Sequence, residues 1–196
     1  MHDLGRNEDR LRGTYEFPFE FHHIDSSHPR YVMSYHWHVE CEIMRVLQGT
    51  LTVTLDEKSF TAKAGDVIFV NSGVLHSGIP QDCIYQCIVF DMNMFLKFNS
   101  ICTEYMQKIS HQELLIYHHF TEKQPDIQRA VNSLFDSFWQ RKPGYELVVF
   151  GQFYHFFGLV FGNHYYLESL RKTRRDYKRI VQLKQVVEFI EKNYAN

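Results

Sequence analysis

The amino-acid sequence predicts an α+β chain in which an antiparallel β-barrel is followed by helices. Three observations carry this prediction. Residues 31–90 break into short β-branched and aromatic runs with turn residues between them and no helical stretch. Leu51-Thr52-Val53-Thr54-Leu55 alternates apolar and polar side chains strictly, the period of a half-buried strand. Beyond Asn93 the apolar spacing lengthens to that of a helix. The 196 residues, 44% hydrophobic and 22% charged, can bury a core without a disulfide or metal to fold them. That length allows one domain and a fragment of a second.

Strands are expected at 31–35, 43–47, 51–55, 67–70 and 84–90. Gln48-Gly49, Asp56-Glu57-Lys58, Ala64-Gly65-Asp66, Asn71-Ser72-Gly73 and Pro80-Gln81-Asp82 separate them as turns. Strands this short and this closely spaced make a sandwich or barrel. A helix is expected at 126–141, behind Pro125, with Ile127, Ala130, Val131, Leu134, Phe135 and Phe138 on one stripe. Lys142-Pro143-Gly144 ends it. A second helix, at 145–170, is apolar on most sides, as for a helix covered by both its own domain and a partner. Its Phe153, Phe156, Phe157, Val160 and Phe161 are the expected core or homodimer interface. Residues 171–179 read as a basic linker, and 180–196 resume a helical stripe through Ile180, Val187 and Ile190. The expected division is a barrel at 1–92, a helical dimerisation region at 93–170, the linker, and the first helix of a truncated domain at 180–196.

Net charge is −2, which excludes a chain that binds nucleic acid by bulk electrostatics. Residues 168–196 are the exception, with eight Lys or Arg against four acids. Residues 1–12 contain no apolar leader, and the four cysteines form no CxxC pair. The apolar run at 148–162 is broken by Gln152 and His155 and is too short to span a bilayer. A cytoplasmic protein with reduced thiols and no membrane partner is expected.

The chemistry lies in the β-rich half. His36-Trp37-His38 is followed by Glu42 and Gly49, and Gly65 and Gly73 precede His76. Three imidazoles and a carboxylate suit a divalent first-row metal such as Zn, Ni, Mn or Fe. On one straight strand His38 and Glu42 would stand about 13 Å apart. Both can serve one ion only if the chain turns between them. Glu40 shares strand parity with His38 and is the alternative carboxylate. Trp37 has the opposite parity, which favours packing. Tyr31 and Tyr35 share parity with each other and not with His36. His22-His23 and His118-His119 read as surface pairs, because neighbouring strand residues face opposite ways.

These residues resemble the two motifs of the cupin superfamily, a small β-barrel with a ligand pocket. Both histidines, Glu42 and Gly49 fit the first motif, with Arg30 where a Gly usually stands. Gly65, Gly73 and His76 fit the second, with Asn71 for the usual Pro and Pro80 for the usual Asn. The resemblance implies that His36, His38, Glu42 and His76 hold a metal, line a ligand pocket without one, or only brace the turn. Barrel, helices, basic linker and the Ile-Glu-Lys-Asn-Tyr ending together resemble an AraC-family transcription factor. That resemblance implies a small-molecule effector, sugar-like in class, a homodimer, and DNA contact through a C-terminal helix-turn-helix domain. Two other classes remain open: a metallo-cupin enzyme, such as a dioxygenase or sugar isomerase, and a dimerisation module alone. The linker and the basic tail favour the regulator, so no enzyme activity is expected.

Overall fold

A computed structural model of the chain describes residues 6–7, 12–97, 101–169 and 186. In chain order the elements are β1 (Arg6–Asn7), β2 (Phe19–Ile24), β3 (Met33–Trp37), β4 (Cys41–Leu55), β5 (Lys58–Lys63), β6 (Val67–Val70) and β7 (His76–Phe90). A 3-10 turn (Met92–Leu96) follows, then α1 (Thr103–Ser110), β8 (Leu114–Ile116), β9 (His119–Phe120), α2 (Pro125–Gln140), α3 (Tyr145–Gly162) and β10 (Tyr166–Glu168). The expected linker at 171–179 and the helix at 180–196 lie outside the described residues, Val186 apart.

The barrel is built on β4 and β7, which pair antiparallel along their whole length from Cys41↔Phe90 to Leu55↔His76. The first half of β4 takes β6 on its other side and the second half takes β5. The ends of β7 likewise take β2 and β3. The two halves of one eight-stranded sheet therefore share two long strands, and each strand bends where it passes from one half to the other. The bend falls at Gly49 and Asp82, where the ladder slips and both residues have positive φ (67° and 46°). A Cβ on Gly49 would stand 2.2 Å from the Asp82 carbonyl oxygen, so only glycine fits there. The sequence predicts turns at Gln48-Gly49 and at Pro80-Gln81-Asp82. The structure has a bulge instead, because the same φ > 0 that reverses a chain also kinks a continuing strand.

Alternation along β4 and β7 divides the core in two. Met44, Val46, Leu51, Val53, Tyr85 and Cys87 fill the barrel interior. Cys41, Ile43, Ile88 and Phe90 face the other way, onto α2 and α3. The two helices are thus a second layer on the back of the β4–β7 wall. Phe69 stacks on Phe156 with centroids 5.7 Å apart, and Phe90 meets Phe153 at 4.5 Å.

Three sequence expectations change. Phe153, Phe156, Phe157 and Val160 are buried in the protomer's own core, so they are not available to a second copy. Phe161 is partly buried against that same core. The face that α3 leaves open holds Leu147, Val148, Gly151, His155 and Gly158 instead. The helix also stops at Gly162 rather than at residue 170. His164 turns left-handed at φ 55°, the Tyr165 N–H returns to the Val160 carbonyl at 2.9 Å, and β10 then pairs with β8. Lastly, β9 pairs with β6, so the barrel sheet draws on chain beyond residue 92. No described helix is long and apolar enough to cross a membrane.

Candidate functional site

The turn that the sequence requires between His38 and Glu42 is present. Strand β3 ends at Trp37, the chain bends at Val39-Glu40, and β4 starts at Cys41. The β6–β7 loop pins this bend, since Gly73 N–H donates to the His38 carbonyl at 2.9 Å and the Ser72 hydroxyl donates to the Val39 carbonyl. The same loop leads into His76, the register partner of His36 across β3 and β7. One ligand atom from each of His36, His38, Glu42 and His76 falls within 4.8 Å of the others. Glu42 Oε2 lies 3.2 Å from His76 Nε2 and 3.4 Å from His38 Nε2. His38, Glu42 and His76 are all buried.

Hydrogen bonds assign the tautomers. His36 Nδ1 lies 2.8 Å from the Ser34 carbonyl, His38 Nδ1 3.1 Å from that of Glu40, and His76 Nδ1 2.9 Å from that of Val74. A carbonyl only accepts, so each Nδ1 donates and the neutral ring is left with a bare Nε2 lone pair. The Nε2 atoms of His38 and His76 are buried with no hydrogen-bond partner. Each faces a carboxylate oxygen across a gap that no neutral-state proton fills. Two acceptors placed this way repel unless a cation or an added proton lies between them. Ligands at about 2.0–2.2 Å from one ion stand about 3.0–3.5 Å from each other, and the observed separations fit. Nδ1 bonds to backbone carbonyls are also the usual outer support of metal-binding imidazoles.

The electrostatics agree. Burial pushes the Glu42 carboxyl up, but the close approach of His38 and His76 outweighs it and holds the group well below the usual range. Burial, then the neighbouring His76, pushes His36 down to about 4, so it is neutral and able to ligate at pH 7. Burial, then the charge of Glu42, pushes the nearby Cys87 thiol up, so it stays protonated and the donor set is nitrogen and oxygen only.

His36, His38 and Glu42 open onto a cavity of about 280 Å³, while His76 closes the cluster from behind. Arg12, His22, His28, Arg30 and Tyr35 also line it. Sequence reasoning missed Arg12 and His28, and noted Arg30 only as a departure from glycine. His22 belongs to the cavity rather than to a surface pair. Its neighbour His23 faces outward to Gln86 and Trp139. His118 and His119 are tied to β6, through the Phe69 carbonyl at 2.9 Å and Asp66 at 2.9 Å. Glu40 lies on the Nδ1 side of His38, 3.7 Å away, and is outside the cluster. Trp37 is buried and does not line the cavity. Tyr31 braces β7, its hydroxyl accepting from Cys83 N–H at 3.0 Å. Asn71 joins the barrel to β8 through paired bonds with the Ile116 backbone at 2.8 and 3.0 Å.

Residues 18–157 match the model of the AraC-like ligand binding domain. The chain belongs to that family. The match contains β2 to β7, all four clustered residues and most of α3. A 56-residue stretch is 34% identical to the uncharacterized HTH-type transcriptional regulator YdeC of Bacillus subtilis (strain 168), covering 27% of this chain and only 19% of that regulator's length. Among solved structures, Bacillus subtilis oxalate decarboxylase, described with Mn(II) centres, overlaps at a TM-score of 0.28 and 25% identity, over 31% of this chain and 18% of that one. The conserved SPY1581 protein of unknown function from Streptococcus pyogenes overlaps at 0.32 and 15% identity, over 37% of this chain and 62% of that one. Membership of the AraC-like family, with a helix-turn-helix regulator as a relative, supports a ligand-sensing regulatory role.

Proposed function

We propose that this chain is the effector-sensing part of an AraC-type transcriptional regulator acting in the cytoplasm. A small molecule enters the cavity beside His36, His38 and Glu42 and alters how a dimer presents C-terminal helix-turn-helix domains to DNA. One observation carries the reading: the β4–β7 wall supplies Glu42 and His76 to the cluster, which β3 and the bend after it complete with His36 and His38, and the same wall carries the α2–α3 layer on its other face. A ligand that shifts this wall acts on the helices directly. The dimer contact falls on the open face of α3, around Leu147, Gly151 and Gly158. Residues His36, His38, Glu42 and His76 would hold a divalent ion of the Zn, Ni, Mn or Fe type, which supplies a Lewis-acid contact for the effector. The protein's own part is to turn the three Nε2 atoms inward through the Nδ1 bonds to backbone carbonyls and to bury His76.

The sequence suggests a polyol or sugar-like effector. The same ligand set also suits a metallo-cupin enzyme, a dioxygenase or sugar isomerase, and this is the second reading. Thermal-shift screening of small metabolites, with and without added metal, separates the two when paired with product analysis. A regulator gives stabilisation that His36→Ala abolishes and returns every metabolite unchanged. Turnover of a stabilising metabolite would move the assignment to the enzyme, and equal shifts in wild type and variant would move the site elsewhere.

A further inference from the structure

Glu40 stands at the bend between β3 and β4, outside the four-residue cluster, with only 13% of its side chain exposed. Its Oε2 is buried and has no hydrogen-bond partner. Among the described residues, His38 is the one basic side chain within ion-pair distance, its Nδ1 lying 3.7 Å from that oxygen. A carboxylate oxygen buried in this state is costly unless positive charge lies close by. The neutral His38 ring supplies none, since its Nδ1 proton goes to the Glu40 carbonyl at 3.1 Å and its Nε2 is bare. The bend that carries Glu40 is nonetheless held in place. The Ser72 hydroxyl donates to the Val39 carbonyl, Gly73 N–H donates to the His38 carbonyl at 2.9 Å, and Cys41 is buried at the start of β4.

Charge balance gives the missing partner. Three neutral imidazoles and Glu42 around a divalent ion leave one positive charge in a buried cluster. Arg12 lines the same cavity, but Glu20 cancels it at 2.7 Å. Arg30 is exposed to solvent. Glu40 supplies a second negative charge, on the far side of the His38 ring from the cluster, and brings the total to zero. An anion beside Nδ1 also makes Nε2 a stronger donor to a metal, which a carbonyl alone does less well.

We infer that Glu40 is an outer carboxylate of the metal centre, raising its affinity for a divalent cation through His38 without ligating the ion. This rests on the cluster holding a metal. The test titrates the purified chain with Zn²⁺ in competition with a chromophoric chelator, and with Co²⁺ by visible absorption. Glu40→Gln keeps the size of the side chain and removes its charge, so Zn²⁺ affinity should fall about 10–100-fold. The Co²⁺ spectrum of the loaded variant should match that of the wild type, because the four ligands are untouched. The metal-free variant should melt no lower than the wild type, because an amide is easier to bury than a carboxylate. A residue that only braced the bend would lower that melting temperature instead. Glu104→Gln, in the exposed first turn of α1, changes net charge equally and should leave Zn²⁺ affinity as in the wild type. Unchanged Zn²⁺ affinity in Glu40→Gln, an altered Co²⁺ spectrum, an equal loss in Glu104→Gln, or a lowered metal-free melting temperature would each overturn the inference while leaving the metal cluster in place. A wild type that takes up neither Zn²⁺ nor Co²⁺ would overturn both.

Discussion

Replacing Arg45 by Met should loosen the helical layer from the barrel wall. Arg45 sits on β4 opposite Gln86 of β7, on the face that looks toward α2. Its Nε donates to Gln86 Oε1 at 2.8 Å, Nη1 to Asn132 Oδ1 at 3.1 Å, and Nη2 to Asp136 Oδ1 at 2.8 Å. The guanidinium also lies 5.0 Å from the Phe135 ring centroid. Met keeps the stem and its packing but removes every one of these contacts. Asn132 and Asp136 are exposed and return to water at little expense, about 0.5–1 kcal/mol. Gln86 is buried, and losing its donor costs about 1–3 kcal/mol. The cation–π contact adds about 0.5–1 kcal/mol. Equilibrium urea unfolding should therefore register a loss of about 2–5 kcal/mol. Adding Gln86→Leu should recover about 1 kcal/mol, because the stranded amide is then gone. A single-variant loss below about 0.5 kcal/mol would refute the view that this network fastens α2 to the barrel.

Gly49→Ala should cost about 3 kcal/mol or prevent folding, since it combines left-handed φ with a backbone clash, whereas Gly65→Ala should cost only about 1–2 kcal/mol because its nearest obstacle is the Gln128 side chain at 3.8 Å. Denaturant midpoints of the two variants check the contrast. Acid should destabilise the metal-free chain in two stages. His36 is held near 4 in the fold and near 6.5 when unfolded, so the unfolded chain takes the proton first and stability falls between those values by up to about 3 kcal/mol. Below about pH 4.3, protonation of Glu42 adds a second loss, because its folded value is depressed. A stability profile flat from pH 7 to 4 would contradict the environment assigned to His36. Gly158→Glu should leave monomer stability unchanged, because a Cβ there meets nothing within 4 Å, yet should shift the chain from dimer to monomer by light scattering. A monomeric wild type would remove the α3 contact.

The chemistry was more legible in the sequence than the packing. His36, His38, Glu42 and His76 could be paired in advance because their types and intervals form a motif, and the requirement for a turn after His38 followed from strand rise alone. The cavity rim was not legible. Arg12, His28 and Arg30 come from segments with no periodic signal, and nothing local says that they meet. Strand β2 was not anticipated: Phe19 and Phe21 alternate with Glu20 and His22, but the run begins in a Phe- and Glu-rich stretch that also suits a loop. An all-round apolar α3 shows that two faces need cover without saying which neighbour covers which. Phe153, Phe156, Phe157 and Val160 form the stripe that the sheet takes, and the glycine-bearing stripe is left open. Gly162-Asn163 was a readable stop that the hydrophobic run obscured.

Native mass spectrometry of the purified chain tests the central claim most directly. Prepared from metal-supplemented medium, the wild type should retain one divalent ion per chain. His76→Ala, shown to be folded by its thermal transition, should lose that ion at the same metal concentration. A wild type that stays metal-free through supplementation and titration, or a His76→Ala chain that holds its ion as tightly, would contradict the assignment of His36, His38, Glu42 and His76 as one metal-holding set.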